Sequence, residues 1–304
     1  MRTTTHSPVG QWVSFVDAHT GELVNVHNEV RHLDGYLEGE HDARMPNGDY
    51  EISPLIGIEL SSDSDSTTTD ETGWFELNGS TALATFDSDE VVVDNEGGSN
   101  GSLTISGDAV WTDSDAHQSE LDIYIFLHKV RDWADEYAPH VNSSWSRIQA
   151  YANLNSNCNA YFDGNVNFYR SGSGCNNTGR ISDVIYHEWG HGFHYYNLIS
   201  GSWDGSISEG IGDVIAIFHT EDSTIAPYFY TSGGGIREVD SNKIYPDDYT
   251  DNSNYVHSNG LIFGGTMWDL WWLLRDGYGD YDQADEVMFQ LFVDGLRGGP
   301  TIEE

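Results

Sequence analysis

The sequence predicts a multidomain α+β protein, a small N-terminal β-sandwich followed by a larger domain of strands and helices, and three observations carry that expectation. From about Gly35 to Trp111, short apolar runs are parted by clusters of Asp, Ser, Gly and Asn with no helical period, as in a small sandwich. From Ser119 onward helical stretches appear, and one of them contains His187-Glu188-Trp189-Gly190-His191. A helix turns about 100° per residue, so His187 and His191 present two imidazoles to one point in space. That spacing is the pattern of a zinc-binding helix, with Glu188 placed to hold a water without ligating the metal. The expected units are residues 1–30, 31–112 and 113–304.

With 38% hydrophobic residues, including 10 Trp, 17 Tyr and 12 Phe, the 304-residue chain has enough apolar material for a substantial core. Twelve basic residues against 50 acidic ones give a net charge of −38. Such a field repels nucleic acid and anionic membranes, which are excluded as partners. Lys129 and Lys243 are the only lysines, and a Lys-poor, Asp-rich surface fits an extracellular or high-salt setting, a plain soluble acidic surface being the alternative. No run is long and apolar enough for a membrane span, and residues 1–20 lack the apolar core of a signal peptide, so the leader of a secreted protein is expected upstream. Cys158 and Cys175 bracket a Gly- and Asn-rich segment, which suggests a disulfide closing that loop; two reduced thiols are the alternative.

In chain order, Trp12 to Val26 alternates around a turn at Ala18 to Gly21 and predicts a β-hairpin. Asp63-Ser64-Asp65 is read as an exposed hairpin turn, because no twelve-residue loop with a closing Glu follows to bind calcium. Ser119 to Tyr137 predicts a helix whose apolar face holds Leu121, Ile125, Leu127, Val130 and Trp133, ended by Pro139. Asn159 to Tyr169 reads as two strands around the turn Asp163-Gly164. Ser182 is expected to cap the metal-binding helix, and Asp183 to sit at the positive end of its dipole. Gly190 and Gly192 cost that helix up to about 1 kcal/mol each, which predicts close packing or a metal beside them. A second helix follows at Ser208 to Phe218 and a third from about Asn259 to Leu274. Asp276 to Glu286 is acidic enough for calcium, but a solvated loop is the simpler reading.

A catalytic zinc site takes three protein ligands and leaves one position to water. Glu209, 18 residues after His191, supplies the third on a helix that can return antiparallel through a turn at Gly201 to Gly205. Asp213, four residues on, shares its face and can accept the outer N–H of a ligating imidazole. The order Asn159-Ala160-Tyr161-Phe162, then the His-Glu-x-x-His pattern, then Glu209-x-x-x-Asp213, then Val256-His257-Ser258-Asn259-Gly260 is similar to thermolysin-like and fungalysin-like zinc endopeptidases over about residues 116 to 275.

That resemblance implies a zincin-type domain with His187, His191 and Glu209 as ligands, Glu188 as general base and His257 as the donor to a developing oxyanion. It further implies that Asp251, or failing that Asp240, orients His257. Arg237 is implied to bind a substrate carbonyl, a salt bridge being the alternative. Asn159 and Ala160 are implied to lie on an edge strand that pairs with an extended peptide. The oxyanion-assisting tyrosine of the family aligns with Ser200, so either Tyr195 or Tyr196 substitutes or His257 acts with less help. Leu296 to Glu304 resembles a helix start, which implies a helical C-terminal lobe cut short. Residues 12–26 resemble the closing hairpin of a secreted metallopeptidase propeptide. Pro54 to Leu60 with Thr68 to Leu77 is similar to a carboxypeptidase-regulatory β module. The expected protein is a secreted monomeric metalloendopeptidase acting on protein or peptide substrates with Zn2+, and with Ca2+ as a further candidate ion. The competing class is a non-catalytic secreted zinc-binding or adhesive protein.

Overall fold

The computed structural model describes residues 1–6, 9–28, 32–113 and 116–302. β1 (Arg2–His6), β2 (Val9–Val16) and β3 (Leu23–Asn28) form an antiparallel meander, so the expected hairpin is the inner part of a three-stranded sheet. Asp17 closes the β2–β3 turn by accepting from the amides of His19 and Thr20. Phe15, Val16, Leu23 and Val24 are at least half exposed, and the core begins only at Leu33.

The strands of the next segment are β4 (His32–Asp42), β5 (Tyr50–Pro54), β6 (Glu59–Ser61), β7 (Ser66–Thr68), β8 (Trp74–Asn78), β9 (Ala82–Thr85), β10 (Val91–Asn95), β11 (Ser102–Ile105) and β12 (Ala109–Trp111). β4 centres one sheet, antiparallel to β8 and then β5 along its length and parallel to β12. Its burial alternates, with Leu33 and Leu37 inward and His32, Asp34 and Tyr36 outward, as one core-facing side requires. A second sheet runs β11-β9-β6-β7, all antiparallel. The β6–β7 turn holds Asp65, whose carboxylate accepts from Ser66 and Asn78, so this acidic run is a hydrogen-bonded hairpin.

The chain continues through α1 (Gln118–Tyr137), α2 (Pro139–Ser144), β13 (Ile148–Leu154), β14 (Ala160–Phe162), β15 (Val166–Tyr169), α3 (Ser182–Asn197), α4 (Gly205–Thr220), the short pair β16 (Thr224–Ile225) and β17 (Arg237–Glu238), α5 (Val256–Tyr278) and α6 (Tyr281–Leu296). A third sheet has the order β10-β13-β15-β14, with β14 antiparallel at its edge.

The expected boundary at 112/113 does not divide this architecture. β10 lies inside the 31–112 segment, yet it pairs in parallel with β13, Val93 facing Ala150. Buried side chains from Leu33 to Leu296 make one continuous core. The physical reason is α1, which is buried all round from Gln118 to His128 and not on a single face. Two of its buried carboxylates find partners in the preceding segment: Glu120 accepts from the Gly101 amide and Asn95, and Asp122 from the Asp42 amide.

Three charged contacts extend the same fastening. Arg44, beyond β4, makes two hydrogen bonds of 3.0 and 2.8 Å to Asp183, a fully buried residue at the start of α3. It also reaches Asp222 and the Thr224 carbonyl. Arg180 grips the buried Asp42 in the same bidentate way. Asp183, in the first turn of α3 as expected, also anchors that helix to the segment after β4. At the other end, Asp276 to Glu286 is the α5–α6 junction, mostly helical, and not the solvated loop expected. Asp280 caps α6, and Asp285 accepts from Trp271 Nε1 and Arg275.

Two outcomes follow for stability. Removing Arg44 leaves Asp183 buried without its cation, so Arg44→Ala is expected to lower the unfolding free energy in urea by about 3 kcal/mol or more at fixed salt. His128 is 4% exposed, and neither ring nitrogen has a hydrogen-bond partner among the described residues. Burial, aided by Arg131, holds it down from its ordinary 6.5 to about 3. The folded pKa lies below the unfolded one, so the unfolded chain takes the proton first. Stability is then full above about pH 6.5 and is lost as pH falls toward 3, by about 2 kcal/mol at pH 5. His128→Gln is expected to flatten that part of the urea midpoint against pH.

Candidate metal centre and cleft

α3 begins after Ile181 with no side-chain cap. The expected cap, Ser182, is instead the first helical residue; its amide donates to the Arg44 carbonyl and its hydroxyl contacts Asp183. One turn along, His187 and His191 stand with ring centroids 4.8 Å apart. A ligand atom from each of His187, Glu188 and His191 lies within 4.8 Å of the others.

α4, capped by Asp204, runs beside α3 and brings in the rest. Glycine makes the approach possible. A Cβ on Gly190 would lie 2.8 Å from Gly212 Cα, and one on Gly212 would lie 2.5 Å from His187 Nδ1. Gly192 has a different reason, since a side chain there would strike the Trp145 ring. α5 closes on α4 through Gly210 and Gly260, a Cβ on the former meeting the Gly260 carbonyl at 2.7 Å.

Across these contacts, Glu209 Oε2 lies 3.3 Å from His187 Nε2 and 3.1 Å from His257 Nε2, and Oε1 lies 4.0 Å from His191 Nε2. Asp213 Oδ1 faces His187 Nδ1 at 3.0 Å and is itself held by Arg237 through two 2.7 Å hydrogen bonds. Ser208 Oγ faces His191 Nδ1 at 2.8 Å. When Asp213 takes the Nδ1–H of His187, the Nε2 lone pair is left facing the Glu209 carboxylate.

Either a second proton on the imidazole or a metal cation fits between those two acceptors. Among the described residues, Glu188 Oε2 and Glu209 Oε2 are buried without a hydrogen bond, as carboxylates that meet a cation are. Ligand atoms about 2.0–2.2 Å from a tetrahedral centre stand about 3.3–3.6 Å apart, and the His187–Glu209 separation falls there. Two imidazoles and a carboxylate, with a further carboxylate beside them, are a donor set that fits zinc.

The charges respond to this geometry. Burial alone would depress His187, but pairing with Asp213 and Glu209 overrides it and pushes it up to about 10. Burial and the neighbouring His187 hold His191 down to about 3. Against burial, His187, His191 and His257 hold Glu209 at about 2. Asp213 stays well below the ordinary carboxylate range despite burial, chiefly through Arg237. Burial raises Glu188 to about 7, where a carboxylate can both take and give a proton near neutrality. Burial lowers His257.

These groups border a cleft of about 400 Å³ lined on one side by Asn159 and β14, the edge strand of its sheet. Cys158 and Cys175 form a disulfide directly before Asn159. The structure thus gathers His187, Glu188, His191, Glu209, His257, Arg237, Asn159 and Ala160 around one opening, with Asp213 behind it. Asp251 and Asp240 do not join them: both are exposed, and the carboxylate beside His257 is Glu209. Tyr195 is 59% exposed and Tyr196 stacks on Trp145, so neither lines the cleft. Sequence reasoning missed Ser208, although it directly precedes Glu209, and Trp203, which sits in a turn with no periodic signal.

No family model and no curated protein matches the chain. Among solved structures it is similar to the precursor of protealysin, a metalloproteinase from Serratia proteamaculans, with a TM-score of 0.52 and 16% identity over 68% of this chain and 74% of that one. At that identity the likeness is one of fold, and the shared fold is that of a metalloproteinase precursor.

Ser208→Ala frees one imidazole from its hydrogen bond, and zinc affinity measured by competition with a chromophoric chelator is expected to fall about 10-fold or more.

Proposed function

We propose that this chain is a zinc-dependent endopeptidase that hydrolyses peptide bonds. The observation that carries the reading is the convergence of two imidazoles and Glu209 beside the buried Glu188, in a cleft bounded by an edge strand. His187, His191 and Glu209 would hold the metal. Bound zinc supplies a Lewis acid that polarises a carbonyl and acidifies water.

The remaining work belongs to the protein. The free edge of β14 pairs with an extended peptide through backbone groups and lays it across the cleft. Asp213 fixes the tautomer of His187, and Ser208 orients His191. Glu188 accepts the proton of the attacking water at its carboxylate and returns it to the leaving amine. His257, at the rim, donates from Nε2 to the oxygen on which negative charge develops. Arg237 keeps Asp213 ionised while itself lining the cleft. Among the described residues no helix is long and apolar enough to cross a membrane; the disulfide supports a secreted protein, and the edge strand beside the cleft supports protein or peptide substrates.

Glu188→Gln removes the proton acceptor and leaves the three ligands in place. Cleavage of unfolded casein by the zinc-loaded variant is expected to fall at least about 10³-fold with zinc stoichiometry unchanged. Equal activity in the variant and the parent would overturn the assignment.

A further inference from the structure

α3 lines the cleft from Val184 to His191, about 10 Å at about 1.5 Å per residue. The metal cluster sits in the middle. At the first end, Val184, Ile225 and Ile236 make an apolar lining. At the far end the wall is Trp203, on the turn between α3 and α4. Its ring lies 6.3 Å from that of His191 and stacks on that of His194, with centroids 4.4 Å apart and planes at 23°. His194 is fully buried and neither ring nitrogen has a hydrogen-bond partner among the described residues. It offers the indole a flat backing and no polar group to the cleft.

The turn that carries Trp203 is pinned on both sides. The Ile199 amide donates to the Arg297 carbonyl at 3.0 Å, and Gly201, with φ +76°, packs so closely on Gly298 and Gly299 that a side chain there would strike their backbone. On the other side, Asp204 caps α4 by accepting from the Ile207 amide at 2.9 Å. A tryptophan held between two fixed points and still 43% exposed presents a rigid apolar face toward the opening. Rigid aromatic groups of that kind bind apolar side chains with little ordering cost.

We infer that Trp203 is a specificity-determining residue: it takes a large apolar or aromatic side chain of the bound peptide, on the flank of the metal cluster toward the C-terminal end of α3. This rests on the endopeptidase reading, and the test separates the two. Binding of a set of extended peptides, each differing at a single position between Phe, Leu, Ala and Asp, is measured by calorimetry on the zinc-loaded Glu188→Gln protein with and without Trp203→Ala. Cleavage of the same peptides is followed by mass spectrometry in the parent, Trp203→Ala and Trp203→Phe.

The expected result is a preference for Phe or Leu over Ala at one position within a few residues of the cleaved bond. Trp203→Ala is expected to reduce that preference about 10-fold or more, Trp203→Phe to keep most of it, and cleavage of the Ala peptide to change less than about 3-fold. A peptide ranking unchanged in Trp203→Ala, or an equal loss on every peptide, overturns the inference while leaving the endopeptidase intact. Peptides that bind with a Trp203-dependent preference and are not cut by the parent support the inference and remove the endopeptidase reading. Absence of peptide binding removes both.

Discussion

The whole site depends on helices that approach more closely than side chains normally permit. Helix axes usually lie about 8–10 Å apart, with the spacing set by the residues at the contact. Here Gly190 faces Gly212, and Gly210 faces Gly260, so backbone meets backbone between α3 and α4 and again between α4 and α5. Only at such spacing can a carboxylate as short as Asp213 reach His187, and Glu209 reach His187 and His257 together. Four glycines within helices oppose helix formation by about 1 kcal/mol each. The buried faces of α3 and α4, with Ile185, Trp189, Phe193, Ile211, Val214 and Ile215, offset that cost.

A second constraint ties this helical stack to the strands ahead of it. Asp42, Asp122 and Asp183 are fully buried, and each is tolerable only because a partner from elsewhere in the chain reaches it. Arg44 and Arg180 span more than a hundred residues of sequence to do so. The start of α3, and with it the register of His187 and His191, is thereby fixed by residues that take no part in chemistry. In a chain with so few cations, these two guanidinium groups, each still partly exposed, are committed to buried carboxylates.

Much of the centre was legible because it obeys local rules. The four-residue spacing of His187 and His191 and of Glu209 and Asp213 is a property of any helix, and the Asp163-Gly164 turn announces its hairpin. What escaped was set by distant partners. Asp183 reads only as a helix-start acid until Arg44 arrives from beyond β4. Asp251 is near His257 in sequence, yet Glu209 on another helix is nearer in space. Asp285 reads as one of a run of surface acids, but Trp271 and Arg275 claim it. The boundary at 112 failed for the same reason: periodicity describes a strand's own faces and says nothing of β10 choosing β13 as its neighbour.

The fork on Arg237 has one more consequence. A guanidinium has five N–H donors, Asp213 engages Nε and Nη2, and Arg237 lines the cleft, where Nη1 would be the group left to meet a ligand. A peptide carbonyl caught there would share a rigid, planar cation with the carboxylate that steadies an imidazole. Substrate capture and ligand alignment would then be mechanically joined, and a lysine, with its single point charge, could not transmit one to the other.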